Sequence, residues 1–329
     1  MATMIESMST MLPLFDDPPP SFDREHLAQE LRALANEQIF LGGSSWKYEG
    51  WLGQIYTPQK YYTRGKFSQK LFEQRCLAEY GETFPIVCGD FSFYQFPSPE
   101  FWTKLFETAH PQMKFAFKVP EEITCKTFPS HPRYGPRSGM PNPAFLSPEM
   151  FEEGFLRPLE PYSNRIAVLI FEFGTFSKKS YPQPQDFFTD LDRFLARLPQ
   201  GWRYSVEIRN DDYLDAAYFD VLRRNNVAHV FNSWNRMPPL HKQIKIAEAF
   251  TTSFTVVRAL LRAGRSYEQA VEKFAPYDHI QDPNPQAREA IRAVMERARR
   301  RREPAYLFIN NRLEGNAPLT IKAILEGGM

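Results

Sequence analysis

The chain has 329 residues, 43% of them hydrophobic and 24% charged, with a formal net charge of +1. That length suits one large domain or two ordinary ones, and the balance excludes a disordered or collagen-like chain and any global electrostatic pull toward nucleic acid or membrane. Three cysteines, Cys76, Cys88 and Cys125, form no CxxC pair, which argues against a disulfide framework or a zinc–cysteine site and for a reducing, cytoplasmic setting.

No apolar run approaches the roughly 18 residues of a membrane helix; the best, Ile166 to Phe171, stops at Glu172. Residues 1–22, rich in Met, Ser, Asp and Pro, read as a flexible tail, and no basic segment leads there into an apolar core as a secretory signal requires. Residues 23–329 read as one domain. It opens with a capped helix whose Leu27, Leu31 and Leu34 share a stripe and are expected to close the bottom of the fold.

Short apolar runs then alternate with helical patterns. The first strand, Gln38 to Leu41, ends in Gly42-Gly43-Ser44-Ser45-Trp46, and four aromatic rings follow within eleven residues, Trp46 included. Most of these rings are expected to pack, with Trp46 the one that faces a site. The second strand, Pro85 to Asp90, places Asp90 and Tyr94 at or beyond its end; the third, Met113 to Val119, places Lys118 there. Residues 125–147, rich in proline, form a loop long enough to be a lid, a binding loop or a mobile segment.

The fourth strand ends at Glu172, the sixth at Asn232, the seventh at Arg258 and the eighth at Asn310-Asn311. The fifth, Tyr204 to Asn210, puts Tyr204, Val206 and Ile208 on one face and Ser205, Glu207 and Arg209 on the other. Parallel strands covered by helices are apolar on both faces, so this ionic face is anomalous. An unpaired buried charge is costly; Glu207 and Arg209 must therefore be paired, with Lys118 as one candidate partner of Glu207, or must face a wet, concave site.

Eight strands, each followed by helix or loop, predict a single (β/α)8 TIM-type barrel with an N-terminal helix and long βα loops. Such barrels carry their sites at the carboxyl ends of the strands, where Trp46, Asp90, Lys118, Glu172, Glu207, Arg209, Asn232, Arg258 and Asn310 are expected to converge. Between the last two strands, 288–302 carries seven Arg and two Glu. That pattern reads as a solvated helix face, with a nucleic-acid or protein contact as the alternative.

Several stretches together resemble the YecE-like family, domain of unknown function 72. They are Gly42-Gly43-Ser44-Ser45-Trp46-Lys47-Tyr48 with Trp51, Gly53, Tyr56 and Pro58; 93–99; Phe115 to Pro120 with Ile123-Thr124; Val206 to Arg209; and Phe308 to Asn311. The resemblance spans about 39–325 and implies one TIM-type barrel, without an established reaction. The chain departs from the family pattern at Cys88, Asp90, Asn210 and 259–261.

Three cations and several amides at strand ends point to a pocket for a phosphate- or carboxylate-bearing small molecule, with hydrolysis or isomerisation as candidate reactions. Glu207, Lys118 and Asp90 are the candidate catalytic residues; Trp46, Tyr94, Glu172, Arg209, Asn232, Arg258, Asn310 and Asn311 are the candidate ligand contacts. No metal and no cofactor is expected, because the six histidines show neither HxH nor HExxH spacing. Metal-assisted phosphodiester cleavage, glycoside chemistry by Glu172 with Glu207, and a non-catalytic scaffold remain as alternatives.

Overall fold

A computed structural model describes residues 22–327, so the expected tail falls, except for Phe22, outside the described residues. Helix α1, Arg24–Asn36, is capped by the Asp23 carboxylate, which accepts from the His26 amide, and it buries Leu27, Leu31 and Leu34 as its stripe requires. The eight strands are β1 Ile39–Gly43, β2 Ile86–Gly89, β3 Lys114–Lys118, β4 Ile166–Glu172, β5 Tyr204–Glu207, β6 Ala228–Ser233, β7 Thr255–Ala259 and β8 Ala305–Ile309. All pair in parallel and close into one barrel, with β1 flanked by β8 and β2. The principal outer helices are α2 Gln69–Thr83, α3 Pro99–Thr108, α4 Pro184–Leu195, α5 Ala216–Arg224, α6 Pro285–Arg301 and α7 Ala317–Glu326.

Period two divides every strand between two cores. Odd-facing residues such as Leu41, Phe117, Phe171 and Val257 pack outward under the helices. The barrel interior holds a separate apolar cluster that includes Phe40, Ile86, Cys88, Val168, Val230, Tyr306 and Phe308. Two local devices keep this parity. At the β1–β2 seam, a Cβ on Gly42 would stand 2.0 Å from the Ile86 carbonyl oxygen, so only glycine admits that strand approach. Between β3 and β4 the register slips, leaving Ala167 and Val168 both facing inward. The slip fixes which residues of β4 point in thereafter, and Glu172 is one of them.

Candidate functional site

Above the apolar layers, every strand or its immediate extension presents a polar residue at its last inward position. Ser44, Asp90, Lys118, Glu172, Glu207, Asn232, Arg258 and Asn310 follow β1 to β8 in turn, and Arg209 stands two residues beyond Glu207. Alternation, together with the slip at Ala167 in β4, places them together; no local motif does. The result is a polar layer sealing an apolar barrel at its carboxyl-terminal end.

Six of these residues form one ionic network. Arg258 Nη1 donates to both Glu172 and Glu207 at 2.5 Å, and its Nη2 reaches Asp90 at 3.4 Å. Arg209 Nη2 lies 2.6 Å from Glu207 and 3.0 Å from Glu172. Lys118 pairs with Glu172 at 3.1 Å and Asp90 at 3.6 Å. Lys118 therefore turns to the adjacent strand β4 rather than to Glu207, which lies one strand further round. Three cations face three carboxylates, and the charges cancel.

Asp90 is the opening in this layer, with a third of its side chain exposed; Glu172 retains 13% and the other four 7% or less. Burial pushes the Glu172 carboxyl up, but Arg209, Lys118 and Arg258 outweigh it and hold that group well below the usual carboxylate range. Burial likewise opposes charge on Lys118 and Arg258; Asp90 and Glu172 raise the first, and Glu207 with Glu172 raises the second well above its ordinary value. One layer down, burial pushes the Cys88 thiol up to about 12 and keeps it neutral.

Pairing leaves some polar atoms over. Among the described residues Arg209 Nη1, Arg258 Nε and Asn232 Oδ1 are buried without a hydrogen-bond partner, and such atoms are expected to meet water or a ligand. Two aromatic faces flank the network: Phe93 lies 3.9 Å under the Lys118 ammonium and Trp234 lies 3.8 Å from the Arg209 guanidinium. Neither ring stands out in the sequence, because aromatic residues just past a strand end read first as packing. Around the rim, Lys47, Lys126 and Arg312 lie over the rings of Trp46, Tyr181 and Tyr267 and carry no salt bridge among the described residues.

The remaining expected contacts divide. Asn232 donates to the Ile208 carbonyl at 3.1 Å, and Asn310 donates to Ser44 at 2.6 Å while its oxygen caps the Arg312 amide, so both brace the mouth. Asn311 turns away: its oxygen accepts from Trp51 Nε1 and the Ala317 amide, holding the barrel against α7. Trp46 is buried edge-on to Phe91 at 6.0 Å, beside the network rather than in it. Tyr94 is 58% exposed, and Arg133 of the long loop covers its ring at 4.9 Å. That loop is tied down at its base by Arg137 to Glu122 and by Asn142 to the Glu122 and Cys125 carbonyls.

Among the described residues no group of three His, Cys, Asp or Glu side chains could hold a metal ion. His229 faces outward from β6, bonded to Tyr218, and burial lowers it to about 3. No helix among the described residues is long and apolar enough to cross a membrane.

Comparison with known proteins matches residues 40–327 to the family model described as Protein of unknown function DUF72. A DUF72 family protein from Thermotoga maritima has a similar structure, with 20% identity, a TM-score of 0.57, and 88% of this chain and 99% of that chain covered. A DUF72 family protein from Enterococcus faecalis gives 17% identity and a TM-score of 0.54, covering 88% of this chain and 95% of that one. At these identities the likeness speaks to the fold alone. No curated protein matches the chain.

Proposed function

We infer the function from the site, because the chain belongs to the DUF72 family and that family's description names no activity. Our reading is that the barrel mouth binds a small anionic molecule carrying a phosphate or carboxylate, with proton transfer as the chemistry on hand for hydrolysis or isomerisation. The observation that carries it is the pair of buried guanidinium groups, Arg209 and Arg258, each with an N–H left over after pairing. A neutral network has no excess charge of its own to attract an anion; the unpaired rim cations Lys47, Lys126 and Arg312 supply that pull.

Roles within this reading follow from exposure. Glu207, fully buried between two arginines, orients them rather than reaching a ligand. Lys118 stays protonated and stabilises negative charge. Asp90, open to solvent, is the carboxylate placed to accept a proton, with Tyr94 and Trp234 as walls for the body of the ligand. Glycoside chemistry is disfavoured because Glu172, held ionised, makes a poor general acid. The pairing on α6 likewise speaks against a nucleic-acid contact there: Arg288, Arg297, Arg299 and Arg301 each bind a glutamate, and Arg292 bonds the Ile324 carbonyl.

Thermal melts in phosphate, sulfate or a phosphosugar, against chloride at equal ionic strength, test the reading. A ligand at about 100 times its Kd adds about 2.7 kcal/mol of stability. The expected result is a saturable rise in Tm for the phosphosugar that its neutral sugar does not give. A Tm unmoved by all three anions sinks the proposal.

A further inference from the structure

Helices α2 and α3 follow β1 and β2, so their first turns lie at the barrel mouth and they run side by side down its flank. Each turns one stripe toward the other. On α2 it is Lys70, Glu73, Gln74 and Leu77; on α3 it is Phe101, Lys104, Leu105 and Thr108. Both have the spacing i, i+3, i+4, i+7 that aligns side chains on one helix face. Between these stripes lies a cleft of about 520 Å³, within the range of small-molecule sites.

The wall is aromatic and the rim is basic. Trp46 and Phe91 meet at 6.0 Å, and Phe91 and Phe101 at 4.8 Å, so three rings line the cleft, and Phe101 is 39% exposed there. Trp46 Nε1 is buried without a partner among the described residues. Lys47, Lys70 and Lys104 all border the cleft, and none makes a salt bridge among the described residues. Glu73 and Asp90 are the carboxylates of the lining, so cations exceed anions by one. Asp90 also forms the solvent-facing edge of the ionic network, which makes the cleft and the mouth neighbours through a shared side chain.

Open apolar surface bordered by ammonium groups suits a ligand whose body covers the first and whose charge meets the second. We propose that this cleft is a binding site for an aromatic anion, an aryl phosphate or aryl carboxylate, whose ring stacks among Trp46, Phe91 and Phe101 while its charged group meets Lys47, Lys70 and Lys104. The inference goes beyond the mouth reading, since this ligand's charge meets the cleft lysines rather than Arg209 and Arg258, and the two sites adjoin only through Asp90. Stacking of the ring adds affinity that a bare anion cannot collect.

Calorimetric titration of the full chain with phenyl phosphate and with inorganic phosphate tests it, with Trp fluorescence as a second readout. Phenyl phosphate is expected to bind about tenfold tighter than phosphate or better and to quench tryptophan emission. Lys104→Glu, at an exposed position, is expected to weaken phenyl phosphate about tenfold while leaving phosphate binding in place, and Gln74→Trp, which fills the cleft from its exposed edge, to do the same. Equal affinity for both ligands, indifferent to both substitutions, overturns the cleft and leaves the mouth standing. Phenyl phosphate binding that depends on Lys104, without phosphate binding, keeps the cleft and removes the mouth. Absence of binding by either ligand removes both.

Discussion

Two regions of this molecule gather arginines against carboxylates, the barrel mouth and helix α6, and they differ in solvent. At the mouth, Arg209 and Arg258 retain 5% and 2% of their side-chain exposure; on α6, Arg299 and Arg301 retain 43% and 59%. Water screens the pairs of Arg299 and Arg301 and solvates whatever is left when one breaks, so such an exposed pair contributes about 0–1 kcal/mol. At the mouth only Asp90 keeps a substantial face to water, and the other five charges depend on their neighbours for solvation. Pairing there serves position more than stability, because the desolvation of five ions offsets most of their attraction. The same chemistry is thus a surface ornament in one place and a fixed constellation in the other.

The sharpest way to break the contrast is Arg258→Met. It leaves three carboxylates, Asp90, Glu172 and Glu207, to share Lys118 and Arg209 in a largely buried layer, and the expected loss is about 3–5 kcal/mol, read from urea unfolding. A loss below about 1 kcal/mol would show the mouth to behave like the surface. Acid titration comes next. Glu172 is depressed in the folded chain, so its contribution is present above the unfolded carboxyl value of about 4.3 and is lost as pH falls toward its lower folded value. His229, lowered to about 3, is also depressed, so its loss starts earlier, below the unfolded value of about 6.5. Urea midpoints are therefore expected to decline from about pH 6.5 downward, with Glu172→Gln flattening the steeper part below about pH 4. Least of all, Arg299→Ala, which removes the pairs to Glu37 and Glu296, is expected to change stability by under about 0.5 kcal/mol.

The barrel was legible because period two and turn chemistry are local. Each strand carries its own alternation, and Glu207 with Arg209 stand out because ions interrupt it. The polar ends of seven strands could be named for the same reason; at the first, the choice of Trp46 passes over Ser44, the residue that meets Asn310 at the inward position. Partners could not. Whether Lys118 meets Glu172 or Glu207 depends on which strands adjoin and on the register slip at Ala167, and neither is written in the segment that holds Lys118. Asn311 sits one residue beyond Asn310 and so points to the opposite side, toward Trp51 and α7; a count of amides at a strand end does not register that reversal. The α2–α3 cleft is less legible still. Its two stripes are visible in the spacing of 70–77 and 101–108, yet an amphipathic stripe ordinarily means core, and only the gap between the helices distinguishes a wall from a seam.

The mouth's neutrality is not shared evenly around the ring. The strands β1 to β4 bring Asp90, Lys118 and Glu172, an excess of one negative charge; β5 to β8 bring Glu207, Arg209 and Arg258, an excess of one positive. Two copies of the same half would set like charges against each other across a dry seam, whereas unlike halves attract. Arg209 and Arg258 of the second half both reach Glu172 of the first, so closing the ring is what completes the pairing of either half.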